Sequence, residues 1–192
     1  MGATALALSL SITQLEINDH YIKCFDESLP IRQASDFTTE HLTGVFNVTY
    51  SLDAGGSQDV SDPEYLSTVD VFANYLESRP SVVHVKSFTR TLKRLNMNLH
   101  EDDPAEYRLP DARELAAQYL LLYELSLPYG LDVNDQIDID KSSLRIDVTF
   151  GDPDGNVAVI EAEDRLAQAW LAENATPSMQ GTRATGVPVM FG

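Results

Sequence analysis

Residues 44–86 read GVFNVTYSLDAGGSQDVSDPEYLSTVDVFANYLESRPSVVHVK, and this stretch decides the fold class. Phe46, Val48, Tyr50 and Leu52 alternate with Val45, Asn47, Thr49 and Ser51, the two-residue period of a strand with one buried face. Ala54-Gly55-Gly56-Ser57 breaks that strand. Ser61-Asp62-Pro63-Glu64 is a helix start, with Ser61 and Glu64 at capping-box spacing and Pro63 in the first turn. Tyr65, Leu66, Val69, Phe72, Ala73 and Leu76 then share one helical face, Arg79-Pro80 stops the helix, and Val82, Val83 and Val85 make a short strand. The stretch is a strand-helix-strand unit.

Working outward, a second unit echoes the first. Leu144, Ile146, Val148 and Phe150 alternate with Arg145, Asp147 and Thr149, and Asp152-Pro153-Asp154-Gly155-Asn156 is turn chemistry. A helix follows from about Val157 to Asn174, with Val159, Ala162, Leu166, Ala169 and Trp170 as its expected core stripe. Beyond Pro177 the chain reads as extended, and Pro188 restricts the last segment to an edge strand or to no strand. Two such units in this order predict an α+β fold, a split βαβ (ferredoxin-like) sandwich with helices on one face of a mainly antiparallel sheet. A helical segment is inserted between them at about 87–140.

The insertion opens with a helix from Ser87 that shows Phe88, Leu92 and Leu95 on one side. Lys86, Arg90, Lys93 and Arg94 form a basic patch there, read either as a solvated helix face or as a contact for lipid headgroups or an acidic partner. After a polar connection comes LPDARELAAQYLLLYELSLP at Leu109–Pro128. Pro110, Asp111 and Glu114 suit a helix start, and only Gln118 and Glu124 interrupt the apolar run. Such a helix is expected to be covered on all sides, by this domain or by another polypeptide segment. It is shorter than the roughly 20 apolar residues that cross a bilayer core. Either it is a core helix, or one side docks another segment through some of Tyr119, Leu120, Leu122 and Tyr123.

Asp132, Asn134, Asp135, Asp138 and Asp140 follow in an acidic loop whose spacing imitates a calcium loop. Ile137 stands where glycine is needed and Ser143 where a bidentate glutamate should be, so no metal site is expected. His20, His41, His84 and His100 are scattered, and no phosphate loop, HExxH, CxxC or GxSxG occurs. No catalytic residue and no cofactor are expected. At the amino end, Ala3 to Ile12 is a short apolar run with no basic leader, and residues 14–40 read as a strand or turn leading into short helical pieces.

Composition narrows the function classes. The 192 residues, 43% hydrophobic, can bury a core, while a formal charge of -17 and a pI near 4.3 repel nucleic-acid backbones. The single cysteine, Cys24, excludes an internal disulfide.

Asp62-Pro63-Glu64-Tyr65-Leu66, Val82 to Ser87, Lys93-Arg94-Leu95-Asn96 and, above all, Arg113 to Pro128 followed by Gly130-Leu131-Asp132 resemble the large extracytoplasmic loop of bacterial RND-superfamily exporters. The branch is that of hydrophobe/amphiphile efflux proteins, relatives of the MMPL and hopanoid transporters. The resemblance runs from about Leu15 to Phe191. It implies a periplasmic porter domain at 15–192, the second such loop of a proton-driven inner-membrane transporter of apolar or lipid-like molecules. Residues 1–14 would be the end of a membrane helix or vector-derived sequence. The implied partners are the membrane helices, the first periplasmic loop and the substrate, with self-association left open. The family's proton-relay carboxylates lie in membrane helices, so none transfers to this chain. Two other classes remain open: a stand-alone soluble module for a lipid or small apolar ligand, and a hydrolase whose triad is assembled from distant residues.

Overall fold

The structure, a computed structural model, describes residues 24–41, 43–44, 46–151 and 157–186. Helix α1 (Pro30–His41) comes first, then β1 (Phe46–Asp53), α2 (Pro63–Glu77), β2 (Val82–Lys86), α3 (Phe88–Leu99), α4 (Arg113–Ser126), β3 (Ser143–Phe150) and α5 (Val157–Asn174). The described elements are α+β, as the two strand-helix units lead one to expect. The expectations for Ala3 to Ile12 and for Pro188 lie outside the described residues.

The sheet has the order β1-β3-β2, and β3 is antiparallel to both neighbours. Consequently β1 and β2, the strands joined through α2, run parallel with β3 between them. β1 pairs with β3 from Phe46↔Phe150 to Leu52↔Leu144, while β2 carries an irregularity between Val82 and His84 that leaves Val83 facing solvent. A four-stranded sandwich is not completed by the described residues; outside the strand pairs, isolated bridges join Ile137 to Leu144 and Thr49 to Thr185, the latter at the β1 edge. There the two backbones exchange hydrogen bonds of 2.8 Å in each direction. Gly186 follows at φ 147°, and a Cβ on it would sit 2.6 Å from the Asn47 carbonyl oxygen, so a side chain would push the segment off β1.

The alternation in the strands becomes a one-sided sheet. Val48, Tyr50, Leu52, Leu144, Ile146, Val148 and Phe150 are buried on the helix side. The other face is polar and laced by its own hydrogen bonds, Thr49 to Asp147 at 2.7 Å and Thr149 to Asn47 at 2.8 Å. Helix α2 lays all six of its expected apolar residues on the core. Its start is corrected by one residue: Asp62, not Ser61, is the N-cap, and its carboxylate accepts from the N–H groups of Glu64 (2.9 Å) and Tyr65 (3.1 Å). Phe72 meets Tyr50 edge-on and lies 5.2 Å from Trp170, which brings α5 alongside α2.

Tyr65 on α2 closes the end of the β1–β3 ladder. Its hydroxyl donates to the Leu52 carbonyl (2.6 Å) and accepts from the Leu144 N–H (3.1 Å). Burial holds this phenol well above the usual tyrosine range.

The stripe expected on α5 is displaced. Ile160, Asp164, Ala167 and Leu171 are the buried residues, and Leu166 and Ala169 are exposed. The reason is a buried carboxylate: Asp164 accepts from the Tyr50 hydroxyl (2.9 Å) and the Gln168 amide (2.6 Å), and so turns an acidic position inward. Where residues 14–40 were expected to hold a strand or turn leading into short helical pieces, the described part is a turn at 24–29 leading into one 12-residue helix, α1, with no buried residue.

Candidate functional site

The segment that carries the resemblance folds as α4, which starts at Arg113 rather than at Pro110. It packs mainly against α3 and the short helical turn at Asp59–Ser61, with Phe88 of α3 against Tyr123 at 5.9 Å between ring centroids. Ala116, Tyr119 and Leu120 are its buried residues. Among the described residues of this chain α4 is covered on one side only. Leu121, Leu122 and Leu125 are exposed, because α4 sits at the margin of the two-layer core and only one of its apolar faces meets α3.

The four residues singled out on this helix therefore separate. Tyr119 and Leu120 are core positions, and the Tyr119 hydroxyl donates to the buried Asn96 side chain (3.0 Å). Asn96 in turn donates to the Glu106 carbonyl (2.8 Å), which ties the connection between α3 and α4 to both helices. Tyr123 is half-buried. Leu122 alone of the four stands on the outer face, together with Leu121 and Leu125, which the sequence reading did not select. The signal for them is the helical spacing itself. Residues 116, 119, 120 and 123 form one stripe and 118, 121, 122 and 125 the opposite one. The outer stripe has only Gln118 to set against three leucines, so spacing separates the two faces weakly.

The outer face of α4 continues into the chain that follows it. Tyr129 and Leu131 are exposed just past the helix end, and Ile139 projects from the acidic loop. That loop is fastened beside α4 by the ion pair of Lys141 with Glu124 (2.9 Å). Inside the loop, Asp138 accepts from the backbone N–H groups of Ser142 (2.6 Å) and Ser143 (2.7 Å) and from the Ser142 hydroxyl (2.8 Å). Partial burial pushes its pKa up, but these hydrogen bonds outweigh that and hold the carboxyl below the usual aspartate range. Its acceptor capacity thus shapes a turn.

The basic patch is distributed among acidic neighbours. Lys86 pairs with Asp135 of the acidic loop (2.9 Å), and that hydrogen bond lowers the pKa of Asp135. Arg90 pairs with Glu77, and Lys93 with Asp70 (2.5 Å), where the two side chains are only 16% and 14% exposed. Arg94 lies over the Tyr107 ring at 5.9 Å, with Lys93 at 5.8 Å. The structure gives these cations local structural partners and does not gather them around one point.

Among the described residues no group of three His, Cys, Asp or Glu is arranged to hold a metal ion. An apolar cleft of about 260 Å³ opens between the ends of β2 and β3 and the first turn of α5, lined by Pro80, Val83, Phe150, Gly151, Val159 and Ile160. No described helix is long and apolar enough to cross a membrane. No protein-family model and no curated protein matches the chain.

Proposed function

We propose that this chain is a periplasmic porter domain of a proton-driven RND-type exporter of hydrophobic or amphiphilic molecules, and that it works by docking against the rest of that transporter. The reading rests on the resemblance of Arg113–Pro128 to those exporters, and one observation carries it further. The same run presents Leu121, Leu122 and Leu125 to solvent, an arrangement that suits a domain whose outer helix is covered in a larger assembly. In this role the domain contributes no proton relay. It supplies a rigid, one-sided α+β wall and an apolar helix beside the substrate route, while the membrane helices supply the driving force. A stand-alone lipid-binding module is less well supported, since the apolar cleft is smaller than the roughly 300–1,000 Å³ usual for a ligand pocket.

Cys24, exposed and the single cysteine of this sequence, provides the test. In bacteria expressing the full-length protein, with any other cysteine replaced, a membrane-impermeant maleimide should label Cys24 in intact spheroplasts. Labelling only after lysis places the domain on the cytoplasmic side and removes the reading.

A further inference from the structure

The outer face of α4 carries a charge pattern that narrows what can cover it. Leu121 is 52% exposed, Leu122 44%, Leu125 75% and Tyr129 fully exposed. The three leucines recur at the spacing of one helical face. Leu131 and Ile139 are exposed in the chain that follows, and exposed apolar side chains grouped on one helix face mark an interaction site. From Glu114 through Asp140 the chain carries Glu114, Glu124, Asp132, Asp135, Asp138 and Asp140, and no Lys or Arg. Arg113, Lys141 and Lys86 are engaged with Asp59, Glu124 and Asp135, which leaves Glu114 on the helix and Asp132 and Asp140 on the following chain as the free charges among the described residues there, all acidic.

We infer that the occupant of this face is an apolar helical surface of another polypeptide segment, flanked by Lys or Arg. The inference rests on the docking role proposed above and adds the chemistry of the partner. A leucine stripe at helical spacing is filled best by a second helix whose ridges enter its grooves. A second copy of this chain is disfavoured, because self-docking would set one acidic rim against the other on molecules of formal charge -17. An anionic bilayer is disfavoured by the same repulsion. A basic flank on the partner instead places Lys or Arg opposite Asp132 and Asp140, steering the helix onto the leucines and fixing its register.

The 192-residue chain is titrated calorimetrically with two synthetic amphipathic helical peptides of equal length and identical leucine stripe, one flanked by lysines and the other by glutamates. The lysine-flanked peptide should bind at least about tenfold more tightly, and its affinity should fall with added salt. The variant L121Q/L122Q/L125Q should lose about tenfold or more while keeping its circular dichroism and urea midpoint. Should the triple variant not fold, Leu125→Gln alone, at the most exposed leucine, should weaken binding severalfold. Asp132→Asn with Asp140→Asn should bring the two peptides closer in affinity.

Equal affinity for both peptides, no binding of either, or binding that survives the leucine variants overturns the inference, the last by showing nonspecific attraction to an acidic protein. Sedimentation as a dimer that L121Q/L122Q/L125Q dissolves makes the occupant a second copy. Retention on phosphatidylcholine vesicles through the same leucines makes it a lipid surface. A cytoplasmic result in the Cys24 labelling sinks the exporter reading without touching these titrations, and their failure leaves the exporter reading standing.

Discussion

Truncating two neighbouring positions of α4 separates its inner from its outer face. Leu120 is buried against the core, whereas Leu122, two residues on, is nearly half exposed. Leucine to alanine removes three carbon atoms, worth about 2.4 kcal/mol at roughly 0.8 kcal/mol per buried methylene. At Leu120 the surrounding core collapses only partly, and the residual cavity raises the expected loss to about 3–4 kcal/mol. At Leu122 roughly half of the transfer term applies and no closed cavity forms, so about 1 kcal/mol or less is expected. Urea unfolding followed by the fluorescence of Trp170, the single tryptophan, packed between Phe72 and Tyr75, reads both variants on one scale. The difference should be about 2 kcal/mol or more, of which the transfer term supplies about half and the cavity at Leu120 the rest. Equal losses at the two positions would refute the assignment of faces, because they would mean that the chain itself covers Leu122. The idea that α4 offers a docking surface would fall with it.

Other expectations follow from the same contacts. Tyr50→Phe deletes the hydroxyl that donates to buried Asp164, and should lower unfolding stability by about 1–3 kcal/mol with little change in circular dichroism. Charge reversal now splits the basic patch: Lys93→Glu sets two carboxylates together at a largely covered site and should cost about 1–3 kcal/mol, whereas Arg90→Glu at its more exposed pair should cost less than about 1 kcal/mol. Similar urea midpoints for these two would overturn the distinction. Asp138 has a folded pKa below its unfolded value near 3.9, so its contribution is fully present above about pH 4–5 and is lost as pH falls through the folded pKa. Asp138→Asn should accordingly lower stability at neutral pH and flatten the decline under acid; an unchanged acid limb in pH-dependent melting curves would count against that role.

Local pattern was enough for the α+β class, because the strands 46–53 and 143–150 alternate strictly and α2 has one apolar face and one polar face. In each of these the inner side is simply the apolar side, and burial follows from the sequence without knowledge of any neighbour. Strand order was beyond reach of such a reading: β3 lies between β1 and β2 through hydrogen bonds between residues far apart in the sequence, Phe46 with Phe150 and Lys86 with Asp147. The face of α5 was misplaced for a related reason, since Asp164 is turned inward by the hydroxyl of Tyr50, 114 residues away. In α4 the outer stripe has only Gln118 to set against three leucines, and the choice between the faces falls to Asn96 and Phe88 on the helix beside it. The basic residues of 86–94 have no acid beside them in sequence to announce Asp135, Glu77 and Asp70 as partners. Period and polarity are local quantities and determine an element and its inner face when the two faces differ. Where they do not differ, or where a charge is buried by a distant donor, only the tertiary packing decides which side chain meets solvent.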